Sequence, residues 1–391
     1  MRTLSIYIHI PFCMKKCRYC DFLSFPATEG EKRQYVQALL KEIRTEAVKY
    51  ADCTVDSVFV GGGTPSVLPD GLLEEIMACL RSCFRFPRLS ETEGKEPEMT
   101  AEINPGTADK KKLESYKRAG INRISIGTQS VHDRELAYLG RIHKAEDFFR
   151  TFREAKEAGF TNINVDIMAA LPGQTPETYA DNLEQIVRLA PSHISAYSLM
   201  IEEGTPFYEM YGEGGSGRQA VLPLPTEEEE REMDMFTESF LREKGYHRYE
   251  ISNYALPGME CRHNKGYWTR RNYVGFGLGA ASMVDNVRWK NPSDMGQYIR
   301  CLLSGGGTVQ ENVVRLKRQE QMEEFMFLGL RLTEGVSRQA FRDAFGSEVE
   351  EIYGKVLNKL CGQGLLETGE SIRLTPFGRD VSNYVMAEFL F

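Results

Sequence analysis

Short apolar runs alternate with amphipathic stretches through the first half of the chain, repeating one theme. Leu4–Ile10 reads as a strand, and Glu31–Tyr50 as a helix with Tyr35, Ala38, Leu39 and Ile43 on one stripe. Val55–Val60 is β-branched and runs into Gly61–Gly63, and Leu72–Leu80 is helical. Met99–Ile103 is a strand ending at Asn104–Pro105; Asp109 then caps a helix that Gly120 stops. Arg123–Ile126 leads to Gly127–Gln129, and Glu146–Ala158 follows as a helix with Phe149, Phe152 and Ala155 inward. Ile163–Met168, the helix Glu177–Leu189 and the strand His193–Leu199 complete the series. Six strand–helix units with Val- and Ile-rich strands predict an α/β protein with a parallel sheet covered by helices. An open doubly wound sheet and a complete or partial barrel both satisfy the pattern. In either, Cys13–Cys20, Gly61–Pro65, Glu102–Pro105, Gln129 and Asp166 follow strands. C-terminal strand ends are where such folds place their sites.

The pattern changes later. Arg85–Glu98 is polar and reads as an exposed insertion, and Gly212–Gly217 as a flexible break. Thr226 caps a helix whose first turn holds the acidic run Glu227–Glu230, and Arg248–Tyr254 has strand character. Gln319–Leu332, Arg338–Phe345 and Glu351–Gln363 read as helices, and Leu365–Leu374 as a hairpin turning at Gly369. Three regions follow: a core over 1–225, a connecting region over 226–310, and a small α+β, winged-helix-like domain over 311–391.

Composition narrows the function. With 391 residues and 41% hydrophobic content, the chain can bury a sizeable core. A net charge of −8, with basic runs no longer than Lys110–Lys112, argues against nucleic acid as a partner. Apolar runs are too short and broken to cross a membrane, and MRTLSIYIHIPFC reads as a strand instead of a leader, so the expected compartment is the cytoplasm. Nine cysteines, three clustered and six scattered, fit a reducing compartment with one metal site.

Cys13, Cys17 and Cys20 form C-x3-C-x2-C. Thiolates suit iron–sulfur clusters and zinc. A structural zinc site wants a fourth protein ligand, for which His9 or Cys261 would have to be recruited. A cube held by three thiolates instead leaves one iron open to an exchangeable ligand.

The surrounding YIHIPFCMKKCRYCDF closely resembles the radical S-adenosylmethionine (radical SAM) superfamily, and within it the coproporphyrinogen dehydrogenase and HemW-like branch. The resemblance continues in order through GGGTPS (61–66), AEINPG (101–106), SIGTQS (125–130), LGRIH (139–143), NVDIMAALPGQT (164–175) and HNKGYW (263–268). It implies a partial (β/α)6, TIM-like barrel with a [4Fe–4S] cluster on Cys13, Cys17 and Cys20 and S-adenosylmethionine on the open iron. It also implies cofactor contacts from Tyr7, Tyr19, Gly62, Gly63, Thr64, Glu102, Gln129, Arg141 and Asp166. Each of these also has a purely structural reading; Arg141 and Asp166, for instance, can pair with each other.

Two functions exist in that branch: oxidative decarboxylation of coproporphyrinogen, and heme binding with delivery to haem proteins. Three features resemble the heme-chaperone group. Phe22 stands where the oxidase has one more Cys. The first strand begins at about residue 4, without the oxidase's extension. HNKGYW matches HNxxYW. The resemblance makes His263 the candidate axial heme ligand, with Cys261 as a thiolate alternative. Tyr267 and Trp268 would pack on the macrocycle, and Lys265, Arg270 and Arg271 would meet propionates. His9 and His193 read as core residues. The expected partners are heme and haem-accepting proteins, membrane-associated ones included. A homodimer is compatible with the sequence, though no residue signals one.

Overall fold

The computed structural model describes residues 2–87, 89–91, 96–214, 222–305 and 309–390. Residues 88 and 92–95 of the polar stretch after Arg85, and 215–217 of the break at Gly212, lie outside the described residues.

The six expected strands are β1 (Arg2–Ile10), β2 (Cys53–Gly62), β3 (Glu98–Ile103), β4 (Arg123–Gln129), β5 (Asn162–Ala169) and β6 (His193–Ser198). They pair in sequence order, all parallel. Between them run α1 (Glu29–Glu46), α2 (Leu72–Cys83), α3 (Lys110–Arg118), α4 (Asp133–Leu139), α5 (Ala145–Glu157) and α6 (Pro176–Val187). Thr28 and Glu31 start α1 with a reciprocal capping box, and Asp109 caps α3. On α5 the buried positions are Phe148, Thr151, Phe152 and Ala155; Phe149 is only half-buried, one position off the expected stripe.

The strands carry two faces of opposite character. Leu4, Ile6, Ile8 and Ile10 of β1, and their counterparts on the other strands, join the core beneath the helices. The alternate residues are polar and hydrogen-bond across neighbouring strands: Ser57 to Ser5 at 3.0 Å, Asn164 to Ser125 at 2.8 Å, Ser195 to Asn164 at 3.2 Å. A side-chain period of two puts these polar groups on one inner face, the lining of an open barrel. The sheet is not closed: β1 and β6 do not pair with each other.

The region after α7 (Pro206–Tyr211) and α8 (Glu227–Glu243) extends both edges of this sheet. The short hairpin β7 (His247–Arg248) and β8 (Asn253–Ala255) lies against β6. Helix α9 (Arg262–Trp268) is followed by β9 (Tyr273–Phe276), parallel to β1, and by antiparallel β10 (Ala281–Val284) and β11 (Val287–Lys290). After α10 (Met295–Leu303), β12 (Glu311–Arg315) completes the twelve-stranded sheet, although sequence alone assigns these residues to the small domain.

The small unit therefore starts near α11 (Arg318–Gly329). It contains β13 (Val336–Ser337), α12 (Arg338–Phe345), α13 (Val349–Gly362), β14 (Leu366–Thr368), β15 (Ser371–Leu374), α14 (Pro376–Asp380) and α15 (Ser382–Ala387). Its three strands form a separate antiparallel sheet in the order β13-β15-β14, around a core of Met326, Phe341, Leu360 and Ile372. Helices followed by a hairpin give the winged-helix-like arrangement. Among the described residues no helix is long and apolar enough to cross a membrane.

Candidate functional site

The cysteine loop leaves the C-terminal end of β1. Its entry and exit are pinned by backbone pairing: Cys13 N–H donates to the Phe25 carbonyl at 3.1 Å, and Phe25 N–H to Pro11 at 2.9 Å. Cys20 N–H closes a turn onto Cys17 at 3.4 Å, Arg18 N–H donates to Leu139, and Lys16 Nζ reaches the Phe22 carbonyl. His9 bonds Leu23 O at 2.9 Å and Tyr7 OH at 3.0 Å, fastening the loop to the barrel interior. Burial raises the Cys13 and Cys20 thiols above their ordinary value.

Cys13 and Cys17 line a cleft with Thr64, Asn104, Thr107, Arg141 and His143. Gly63 N–H donates to Ile10 O and Thr64 N–H to Phe12 O, which locks the glycine loop under the cysteine loop. A side chain at Gly63 would meet the Phe12 carbonyl, so the close approach requires glycine there. Gly62 adopts φ +106° and donates its N–H to Glu102 at 3.0 Å.

Arg141 lies across the cleft. It donates to Asn104 Oδ1 at 2.8 Å and to the Gly127 carbonyl, and its other arm reaches Cys17 Sγ at 3.7 Å. Tyr19 packs beside Leu139, Met168 and Phe207, with its hydroxyl beside Arg141. Asp166 bonds Asn164 and Ser125, so the Arg141–Asp166 pair allowed by the sequence does not form. Burial pushes Glu102 up to about 8, with help from Asp166, and raises Asp166 as well. Gln129 accepts from Tyr197 OH at 2.9 Å and holds φ +68°, an unusual conformation for a side-chain-bearing residue. Tyr7, whose ring lies 6.4 Å from Phe59, is raised well above its ordinary value by burial.

These residues fit the implied cluster. The donors are three soft thiols on one loop, next to the half-buried Arg141 guanidinium and a His143 nitrogen that lacks a partner among the described residues. Among the described residues no three His, Cys, Asp or Glu side chains converge on a single-ion position. A cube spreads its ligands more widely than one ion does.

HNKGYW lies elsewhere. Its residues form α9, which packs against β2 and β3 at their N-terminal ends, opposite the cysteine loop. Glu98, the buried first residue of β3, accepts from Arg262 N at 3.1 Å, His263 N at 3.0 Å and Cys261 Sγ at 3.4 Å. The reading of Glu98 as part of an exposed insertion is thus corrected: its charge meets the start of α9. His263 is 1% exposed, with Nδ1 bonded to Ser57 at 3.0 Å and Nε2 to Tyr267 OH at 2.9 Å. Burial, aided by Arg123, lowers its pKa to about 3. Cys261 is pushed up to about 12 by burial. Trp268 lies 4.3 Å under Arg331, and Tyr267 packs edge-on against Tyr273. Lys265, Arg270 and Arg271 pair with Glu334, Glu324 and Asp56. The structure does not bring these residues to a common open surface. His193 bonds Asn164 and Tyr249, as a core histidine should.

Sequence reasoning did not single out Asn104, which joins Arg141 to Thr64, or the buried Glu98 and Arg123. Asn104 had a signal, an Asn-Pro at a strand end. The strict alternation in RISIG and NINVDI marks the polar inner face that holds Arg123 and Asn164.

Fold and site together define a protein of the radical SAM type. The pattern of the radical SAM superfamily matches residues 7–214, and that of the HemN C-terminal domain matches 316–381. The chain is 36% identical over 387 residues to heme chaperone HemW of Bacillus subtilis, covering 99% of each chain. It is 33% identical to heme chaperone HemW of Escherichia coli, over 99% of this chain and 98% of the other. Its fold matches coproporphyrinogen III oxidase (HemN) of Escherichia coli with a TM-score of 0.84 at 24% identity, over 99% of this chain and 90% of that one. The chain belongs to the radical SAM superfamily, in its HemW-like family.

Proposed function

We propose that the protein carries a [4Fe–4S] cluster on Cys13, Cys17 and Cys20, binds S-adenosylmethionine at the open iron, and binds heme for delivery to haem proteins. The observation that carries the cofactor part is the assembly of both cysteine and glycine loops with Arg141 at the strand ends. When bound, cluster and S-adenosylmethionine supply one-electron chemistry, and the protein supplies orientation. Arg141, held by Asn104 and Gly127, suits a carboxylate. Gly62, Gly63 and Thr64 allow backbone approach to the methionyl part. Glu102, Asp166, Gln129, Tyr7 and Tyr19 are proposed as the further polar and ring contacts.

Support for heme comes from the near full-length relatives named as heme chaperones and from Phe22. Phe22 is 60% exposed on the cysteine loop and cannot serve as a fourth thiolate. His263 remains the proposed axial ligand, with a condition. Both ring nitrogens are bonded internally, so ligation requires α9 to leave the barrel end. Haem-accepting proteins are the proposed partners and the cytoplasm the proposed compartment.

The test offers heme and coproporphyrinogen in parallel to one anaerobic, cluster-loaded sample. Heme uptake and transfer without decarboxylation is the expected result. Turnover of coproporphyrinogen would replace the chaperone reading with an oxidase. Heme uptake that is unchanged in His263→Ala would remove His263 from the site.

A further inference from the structure

His143 lies two residues beyond Arg141 and forms part of the same cleft wall as Cys13, Cys17, Thr64 and Asn104. It is 5% exposed, and its Nε2 is buried without a hydrogen-bond partner among the described residues. A buried polar atom left unpaired is costly, so the bare nitrogen of a residue in the cleft wall is a group that a ligand atom would complete. Burial and the neighbouring Arg141 lower the ring's pKa to about 4, and the Thr128 backbone takes a hydrogen bond from it. A neutral imidazole with its one N–H engaged offers a lone pair and nothing else.

The side-chain oxygens of the cleft already have partners within the protein. Thr64 Oγ1 accepts from Asn104 Nδ2 at 2.7 Å, Asn104 Oδ1 accepts from Arg141 at 2.8 Å, and Thr107 Oγ1 is bonded to Ser66 and to the Asn104 carbonyl. Arg141 carries donors only. S-adenosylmethionine presents a carboxylate and an amino group on one carbon. A guanidinium and a lone pair from the same short segment match that arrangement.

We propose that His143 is a further cofactor-binding residue, its Nε2 accepting a hydrogen bond from the methionyl amino group while Arg141 holds the carboxylate. The assignment rests on the reading of this cleft as the S-adenosylmethionine site. His143 closes the LGRIH motif, but the motif assigns it no role; the signal is the unpaired nitrogen.

The experiment measures binding to anaerobic, cluster-loaded protein by equilibrium dialysis. One probe is S-adenosylmethionine; the other is its decarboxylated analogue, which keeps the amino group and lacks the carboxylate. His143→Phe is expected to weaken both probes about tenfold or more. Arg141→Met is expected to weaken S-adenosylmethionine while leaving the analogue nearly unaffected. His143→Asn, whose side-chain oxygen accepts hydrogen bonds, should recover part of the loss. The paramagnetic signal of the reduced cluster gives a second readout: its response to S-adenosylmethionine should shift to higher concentration in His143→Phe. Unchanged affinity for both probes in His143→Phe overturns the assignment. So does loss of the cluster in both His143 variants, because the ring would then hold the cysteine loop instead of the cofactor. Failure of unmodified, cluster-loaded protein to bind S-adenosylmethionine overturns the cofactor reading itself, and this assignment with it.

Discussion

Glu102 is a half-buried carboxylate between the Gly62 amide and Asp166, with its pKa raised from 4.5 to about 8. Folding therefore favours its protonated form. That contribution to stability is fully present below about pH 4.5 and is lost as pH rises through about 8. In metal-free protein, the unfolding midpoint should fall between pH 6 and pH 9, and Glu102→Gln should flatten the fall. Thermal melts at the two pH values check this; an equal fall in both proteins would refute it. Single residues differ in how far sequence reveals them. The three cysteines and Phe22 stand out in the sequence because the chemistry proposed for them depends on residue type and spacing. Glu98 and Arg123 were not, because a polar residue inside a strand-like run does not say which face is the interior.

Helix α9 is a short element held by groups from β2 and β3. Its N-terminal amides meet the Glu98 carboxylate, and His263 bridges Ser57 and Tyr267. Removing Glu98 takes away the acceptor of two amides and a thiol, and strips a negative group from beside buried Arg123. Glu98→Ala should cost roughly 3 kcal/mol or more, measured by denaturant unfolding. A loss below about 1 kcal/mol would mean that α9 is held by other contacts. The six βα units were legible because hydrophobic periodicity is a local signal. The place of α9 was not: HNKGYW is an informative string, but its partners lie about 165 and 206 positions earlier in the chain.

At the scale of the whole molecule, the chain folds back on itself. Its middle section extends both edges of the first-half sheet, and the small C-terminal unit closes over α9. Trp268 lies under Arg331, Arg270 pairs with Glu324, and Arg379 joins Glu238 of α8. Deleting residues 318–391 should therefore raise amide hydrogen exchange in α9 while leaving β2–β5 protected. Unchanged protection of α9 would show that the C-terminal unit does not hold it. The sheet order explains why a division at 226 and 311 reads well in composition but not in space. Strands join by long-range pairing, and β9 pairs with β1 across some 270 residues.

All three scales meet at the cysteine loop, and its claim is the most directly measurable. The deciding experiment is low-temperature electron paramagnetic resonance of anaerobically reconstituted, reduced protein, recorded before and after adding S-adenosylmethionine. The expected result is a [4Fe–4S] signal, with about four irons per chain, whose g-values shift when S-adenosylmethionine is added. Substituting Cys13, Cys17 and Cys20 together by Ser should abolish it. A protein that takes up no cluster, or whose cluster signal is indifferent to S-adenosylmethionine, would contradict the proposed site.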